Sequence, residues 1–330
     1  MGTLIIEPEP QTTLLRLESG NGPVTRRILC TPLRDALPTE IPIIDISLAF
    51  SMDLADRMSV ARQIRSASTT CGFFYLTNHG IDPCIIDSAY TACLEYFRQD
   101  KDDKMRSWVG KSRYLNGYRP PGSQRLNRSE SIDVRESFSW NYDPRYDPDV
   151  PDVRAIPDEA RKFLQTEDFH WDGTSSTPLF KNAIIRYWKS CNDDSTGNTQ
   201  VSIGSHTDFQ LFTILWQDAV GGLQVLNPEG QWIRAAPIPG TFVVNIADYL
   251  QRISNDLYLS TVHRVQNMSG SERVSMPFFF GFGLHESCGV IDTCVKHGEI
   301  PKYGEISCRQ WVQRRQQAAH QVESDSENEK

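Results

Sequence analysis

The 330-residue sequence has no C-x-x-C pair, no long apolar run and no excess of positive charge. Its eight cysteines, Cys30, Cys71, Cys84, Cys93, Cys191, Cys288, Cys294 and Cys308, are scattered. That leaves a zinc ribbon or a thioredoxin-type motif without support and predicts reduced, mostly buried thiols. The apolar stretches fall well short of a membrane span. A formal net charge of −8 without a basic stripe argues against binding nucleic acid by charge, so neither nucleic acid nor membrane is expected as a partner. The opening "MGTLIIEPEPQTTLLRL" runs into acidic and proline residues within seven positions, unlike a secretory leader, and a cytoplasmic location is expected. With 39% hydrophobic and 23% charged residues, the chain has globular composition and the length for one large domain or two small ones.

Residues 1–40 are proline-rich and weakly periodic, which predicts an extended N-terminal arm. "IPIIDISLAF" reads as a strand. In "MDLADRMSVARQIRSAS" the apolar positions Leu54, Met58, Ala61, Ile64 and Ala67 recur every three or four residues, the period of an amphipathic helix. "CGFFYLTNHG" reads as a buried strand, and a second helix is expected from about Pro83 to Arg98. This strand and helix region is placed at 41–140, followed by an acidic, proline-rich surface connection with a shortened helical segment at 141–196. From 197 to 315 short β-rich runs alternate with turn residues such as Gly221-Gly222 and Pro239-Gly240, the rhythm of a sandwich or jelly roll. Residues 316–330, ending in "QVESDSENEK", are expected to be a disordered acidic tail.

Seven histidines and 42 acidic residues in 330 positions give about one H-x-D/E by chance, since 7 × 42 / 330 is roughly 0.9. Three are present: His170-Trp-Asp172, His206-Thr-Asp208 and His297-Gly-Glu299. On an extended segment residues two apart face the same side, so such a pair can share one ion. Only His206 and Asp208 border the β-rich block; the other two pairs lie in loop text and are expected at the surface. A two-histidine, one-carboxylate iron site needs a second imidazole from a neighbouring strand, and "STVHRVQN" offers His263. A lone strand histidine is otherwise a hydrogen-bonded core residue. Ten residues on, Arg273 and Ser275 stand two apart in "RVSMPFFF", an arginine fork and a hydroxyl suited to a carboxylate.

With that conjunction the sequence resembles the isopenicillin N synthase-like family of non-haem Fe(II) and 2-oxoglutarate-dependent oxygenases. "CGFFYLTNHGID", "GSHTDFQLFTILWQD", "GGLQVLNPEGQWI", "FVVNIADYLQRISND" and "RVSMPFFFGF" look like family landmarks in the right order, over about residues 41–315. The wording around "DVRESFSWNYDP" is most similar to fungal members of specialised metabolism. The resemblance implies a mainly β fold with flanking helices: a distorted double-stranded β-helix (jelly roll) with an N-terminal helical region. It implies Fe(II) on His206, Asp208 and His263, with 2-oxoglutarate paired to Arg273 and Ser275. Oxygen would then drive oxidative decarboxylation and the hydroxylation, desaturation or rearrangement of a small molecule. Relatives that dispense with 2-oxoglutarate keep similar residues, so the R-x-S pair alone does not fix the co-substrate. Asn245 and Asp248 read either as supports of the metal ligands or as a polar turn. Arg135, Tyr118, Phe209, Phe212, Phe280 and Phe282 are candidates for the substrate pocket, against core packing for the aromatic ones.

One departure from the family pattern stands out. "PLFKNAIIRYWKSC" looks like the start of a long family helix, yet "NDDSTGNTQVSIGSH" follows almost at once, as if some forty residues of helix and strand were absent before residue 200. A compact natural variant, a mis-spliced gene model and a partner chain that fills the gap all remain open. A free or partner-covered patch is expected near 178–200, and a catalytically silent relative serving as a binding module is the alternative to an active enzyme.

Overall fold

The structure is a computed structural model, and the residues it describes are 11–127, 129–147, 149–190, 198–199 and 203–320. Two sheets face each other. The larger has five strands in the order Ser275–Phe280, Phe212–Gln217, Phe242–Ile246, Phe73–Thr77, Ile43–Asp45. The smaller has four, in the order His263–Val265, Leu223–Leu226, Trp232–Arg234, Arg34–Asp35. Between them Phe73, Tyr75 and Val243 of the larger sheet pack on Leu223, Val225 and Ile233 of the smaller. The order is non-sequential and "CGFFYLT" completes the larger sheet, so the expected jelly roll draws strands from both halves of the chain. Gly72 starts that strand with φ +71°, and a Cβ there would lie 2.0 Å from the Leu259 carbonyl, so only glycine fits.

The predicted helices form as Leu54–Thr70, capped by Asp53 accepting from the Ala55 amide at 2.8 Å, and Pro83–Phe97, with Asp82 as cap and proline in its first turn. The second packs against the helix Pro178–Ser190, where Tyr96 stacks on Phe180 at 4.2 Å between centroids.

Several expectations need correction. The N-terminal segment is no loose arm over residues 12–29: Thr12–Ser19 and Gly22–Leu29 form a hairpin joined by Gly20-Asn21. Leu15 and Leu17 alternate inward onto Leu226, Trp232 and Val262, each burial contributing about 1.5–3 kcal/mol, which outweighs the weak local β signal. The C-terminal tail is helical through residue 320, as part of Cys308–His320, with Trp311 fully buried. The 141–196 connection is not all surface, since His170 and Trp171 are buried in an aromatic cluster with Phe138 and Trp140. The expected patch near 178–200 is covered on its helical part, where Phe180, Ile184, Ile185 and Tyr187 are buried; 191–197 and 200–202 lie outside the described residues.

Candidate metal centre

His206 and His263 meet as an antiparallel bridge across the sheet margin, exchanging backbone hydrogen bonds of 3.0 and 2.9 Å. Such pairing sets the two side chains on one face, and the ring centroids are 4.3 Å apart. Asp208, two residues on in the extended run before Phe212–Gln217, turns the same way. Its Oδ1 lies 3.5 Å from His206 Nε2 and 3.7 Å from His263 Nε2, with all three side chains buried. One ligand atom from each falls within 4.8 Å of the others, the spacing of donors around a single ion.

The surroundings fix which atoms are offered. His206 Nδ1 lies 2.7 Å from the Gly204 carbonyl and His263 Nδ1 3.1 Å from that of Thr261. A carbonyl only accepts, so each Nδ1 carries the proton and each Nε2 presents its lone pair inward. Burial, reinforced by the neighbouring His206, pushes the His263 pKa down to about 4. Burial pushes Asp208 the other way, but His263, His206 and the Thr213 hydroxyl outweigh it and hold the carboxyl below the usual range. Near neutral pH the site therefore offers a carboxylate beside the neutral His263 imidazole. Oδ2 of Asp208 accepts from Thr213 Oγ1 and, at 2.8 Å, from Asn245 Nδ2, which leaves Oδ1 for the ion.

Asp248 resolves in the same direction as Asn245. Its amide donates to the Asp208 carbonyl at 3.0 Å, and its Oδ2 accepts from Thr207 Oγ1 at 3.1 Å and from the Gly20 amide at 2.9 Å. Sequence reasoning missed the remaining braces. Arg315 donates from Nη2 to the Thr207 carbonyl at 3.1 Å, reaches Asp248 at 3.3 Å, and spans to the Glu18 carbonyl at 2.8 Å. Trp311 Nε1 donates to the Phe209 carbonyl at 2.6 Å. Trp311 and Arg315 stand one helical turn apart, a signal that was available in "QWVQRR" once that stretch is read as a helix. Glu130 accepts from the Ser205 amide and hydroxyl, both at 2.6 Å.

Arg273 and Ser275 open the Ser275–Phe280 strand, and Arg273 Nη1 donates to Ser275 Oγ at 3.0 Å. Its Nε donates to the Gly221 carbonyl, while Nη2 is buried with no partner among the described residues. Burial, opposed by Asp218, lowers the Arg273 pKa to about 10. A guanidinium at that pKa keeps its charge at neutral pH, and a buried charged donor without an acceptor is costly unless a ligand supplies one. The unpaired Nη2 thus suits the far carboxylate of 2-oxoglutarate, and the two imidazoles with one carboxylate suit Fe(II).

A cavity of about 400 Å³ reaches His206 and Asp208 and is lined by Phe209, Phe282, Phe163, Leu164 and Arg119 among others. Of the substrate candidates, Phe282 and Phe209 line it. Phe212 does not; its ring stacks on Phe280 at 4.5 Å within the core. Arg135, 4% exposed, stands behind the wall and donates to Gln124 Oε1 at 2.6 Å, and Tyr118 donates to Glu136 at 2.6 Å. His170, expected at the surface, is buried; His297 and Glu299 are exposed as expected.

A jelly roll whose margin gathers two imidazoles and a carboxylate beside a cavity is the architecture of a non-haem iron oxygenase. The 2OG-Fe(II) oxygenase superfamily model matches residues 179–282, and the model for the non-haem dioxygenase in morphine synthesis N-terminal region matches 41–159. The chain is 50% identical to the 2-oxoglutarate-Fe(II) type oxidoreductase ppzC of Metarhizium majus, covering 93% of this chain and 94% of that one. It is 29% identical to the 2-oxoglutarate-Fe(II) type oxidoreductase hxnY of Emericella nidulans, over 83% and 89%. Among solved structures, a full-length Neurospora crassa protein in complex with alpha-KG and 5-formyluracil shares the fold, with a TM-score of 0.65, 24% identity, and coverage of 88% of this chain and 99% of that one. The chain belongs to the 2OG-Fe(II) oxygenase superfamily. It is a 2-oxoglutarate-dependent oxidoreductase that uses Fe(II), 2-oxoglutarate and O₂, and the family acts on small molecules. Among the described residues no helix is long and apolar enough to cross a membrane.

Proposed function

We propose that His206, Asp208 and His263 hold the iron, that Arg273 and Ser275 hold the far carboxylate of 2-oxoglutarate, and that the adjoining cavity receives the molecule to be oxidised. The observation that carries this reading is the convergence of the three ligand atoms within 4.8 Å, with each imidazole already turned by a backbone carbonyl. Bound iron and 2-oxoglutarate supply the oxidising chemistry, in which O₂ is consumed and succinate and carbon dioxide are released. The chain's own part is placement. Thr213 and Asn245 hold Asp208 with one oxygen outward, Arg273 orients the co-substrate, and the apolar walls of Phe209, Phe163 and Phe282 exclude water from the reacting region. Fungal relatives named as 2-oxoglutarate-Fe(II) type oxidoreductases support an oxidoreductase role.

Anaerobic titration with Fe(II) and 2-oxoglutarate should give a weak visible charge-transfer band that His206→Ala removes. Its absence from the intact, folded protein would overturn the assignment. No specific observation favours a silent binding module. We also propose that the chain lacks an internal segment between Ser190 and Ile203: the match to the Metarhizium majus relative runs over 353 positions, more than the 330 residues here, so that relative carries stretches this chain does not. Sequencing the transcript across residues 185–205 tests this; a transcript reading straight through as given establishes a compact variant, and an additional in-frame exon there establishes a mis-spliced gene model.

A further inference from the structure

We propose that Arg315 is a positioning residue for the iron, and that it makes iron binding and the docking of the helix Cys308–His320 onto the hairpin 12–29 one coupled event. The inference rests on the metal-site reading above and deepens it, by naming what holds the ligand-bearing run in shape. That run, His206 to Phe209, meets a neighbouring strand among the described residues only through the His206–His263 bridge, so no sheet ladder sets its conformation. Each of its four carbonyls accepts from a different donor elsewhere in the chain. The His263 amide donates to that of His206 at 2.9 Å, and the Asp248 amide to that of Asp208 at 3.0 Å. The helix Cys308–His320 supplies the other two donors: Arg315 Nη2 to the Thr207 carbonyl at 3.1 Å and Trp311 Nε1 to the Phe209 carbonyl at 2.6 Å.

Thr207 stands between the two ligands, so a rotation of its peptide turns Asp208 away from His206. Arg315 fixes that peptide from a planar fork with three further engagements. Nη2 reaches the Asp248 carboxylate at 3.3 Å, Nη1 donates to the Glu18 carbonyl of the hairpin at 2.8 Å, and the guanidinium lies 4.3 Å from the centre of the Phe209 ring. Asp248 in turn accepts from the Thr207 hydroxyl and from the Gly20 amide of the hairpin. Hairpin, helix and ligand run thus close one network around Thr207, with Thr207, Asp248 and Arg315 all buried. Members of such a network hold one another, and removing one loosens the rest. Phe209 carries the network to the cavity, whose wall it shares with Val312 of the same helix. Linkage makes the effect reciprocal: docking that favours iron is favoured by iron to the same degree.

The test measures Fe(II) affinity of the full-length protein by chelator competition without oxygen, together with hydrogen exchange of the metal-free and Fe(II)-loaded forms. Arg315→Met keeps an unbranched stem over Phe209 and removes every donor, and it should weaken Fe(II) binding at least about tenfold. Arg315→Lys keeps the charge beside Asp248 without the fork and should recover part of that loss. Ile44→Ala serves as the control, since it opens a cavity between the helix Leu54–Thr70 and the larger sheet; it should lower resistance to denaturant and leave Fe(II) affinity in place. In the wild type, Fe(II) should slow exchange over 12–29 and 308–315, and Arg315→Met should remove that protection even when saturated with iron. Fe(II) affinity equal to wild type in Arg315→Met, or a loss no larger than that of Ile44→Ala, would overturn the inference and leave the metal assignment standing. A folded wild-type protein that binds no Fe(II) would sink the metal assignment and this inference with it. Should Arg315→Met fail to fold, the wild-type exchange decides: protection of 12–29 and 308–315 by Fe(II) supports the coupling, and exchange unchanged by Fe(II) refutes it.

Discussion

His170 and His206 are each followed two positions on by an aspartate, and each is nearly shut off from solvent, at 3% and 9% exposure. Burial and spacing therefore do not distinguish them; backbone does. His206 and Asp208 lie on extended chain, where residues two apart share a face, and His263 is brought to that same face by the bridge. His170 lies in the 3₁₀ turn Phe169–Thr174, where residues two apart diverge by about 120° of rotation. Its ring is held among Phe138, Trp171 and Phe169, and Asp172 is left in solvent. The chain thus contains one H-x-D whose side chains converge with a second imidazole and one built into an aromatic core. A short motif carries chemistry only through the φ and ψ angles of its residues.

The sharpest break of that comparison is ligand removal. Asp208→Ala should abolish iron-dependent turnover, a loss of at least ~10³-fold, because two imidazoles alone leave the ion weakly held. Iron content of the purified variant and succinate release both check it. His170→Phe should leave both readouts in place.

The second difference concerns acid. Burial drives the His170 pKa down to about 4, against Glu167, Asp143 and Asp168, which favour the charged ring, while Lys181 assists burial. A histidine with a folded pKa near 4 and an unfolded one near 6.5 stabilises the fold above pH 6.5, and that stability is lost as the pH falls towards 4. The full effect is roughly 3 kcal/mol. Denaturant unfolding between pH 7 and 4 should show this loss, and His170→Phe should flatten that part of the curve; an unchanged slope would contradict the assignment. For the metal corner, Asn245→Ala should cost about 10–100-fold in iron affinity, measured by competition with a chelator, since Asp208 then loses one of the two donors that orient it.

Where the sequence was legible, the reason was local. The strands and the shared face of His206 and Asp208 were readable because alternation and the i, i+2 rule are properties of the segment itself. Asn245 and Asp248 were half-legible for the same reason: "NIADYL" names the residues, but only the sheet shows that they point at Asp208 and Thr207. The hairpin at 12–29 and the helix at 308–320 were not legible. Each is held by contacts with residues far away in the sequence, such as Arg315 donating to Glu18 and Gly20 donating to Asp248. Phe212 was misplaced because an aromatic strand residue has two faces available to it, and register decides between a pocket and a core.

The smallest expected effect tests the comparison from the opposite side. Asp172→Asn removes the carboxylate of the aromatic-core H-x-D, and its side chain is exposed. A surface substitution of that kind, away from caps and buried partners, should change stability by no more than about 0.5 kcal/mol. Iron binding and succinate release should not move, whereas the same exchange at Asp208 removes the charge from the centre of the ligand set. If Asp172→Asn lowered iron content, His170 and Asp172 would have to share an ion across a 3₁₀ turn, and backbone geometry would no longer explain why this chain uses one of its H-x-D pairs and not the other.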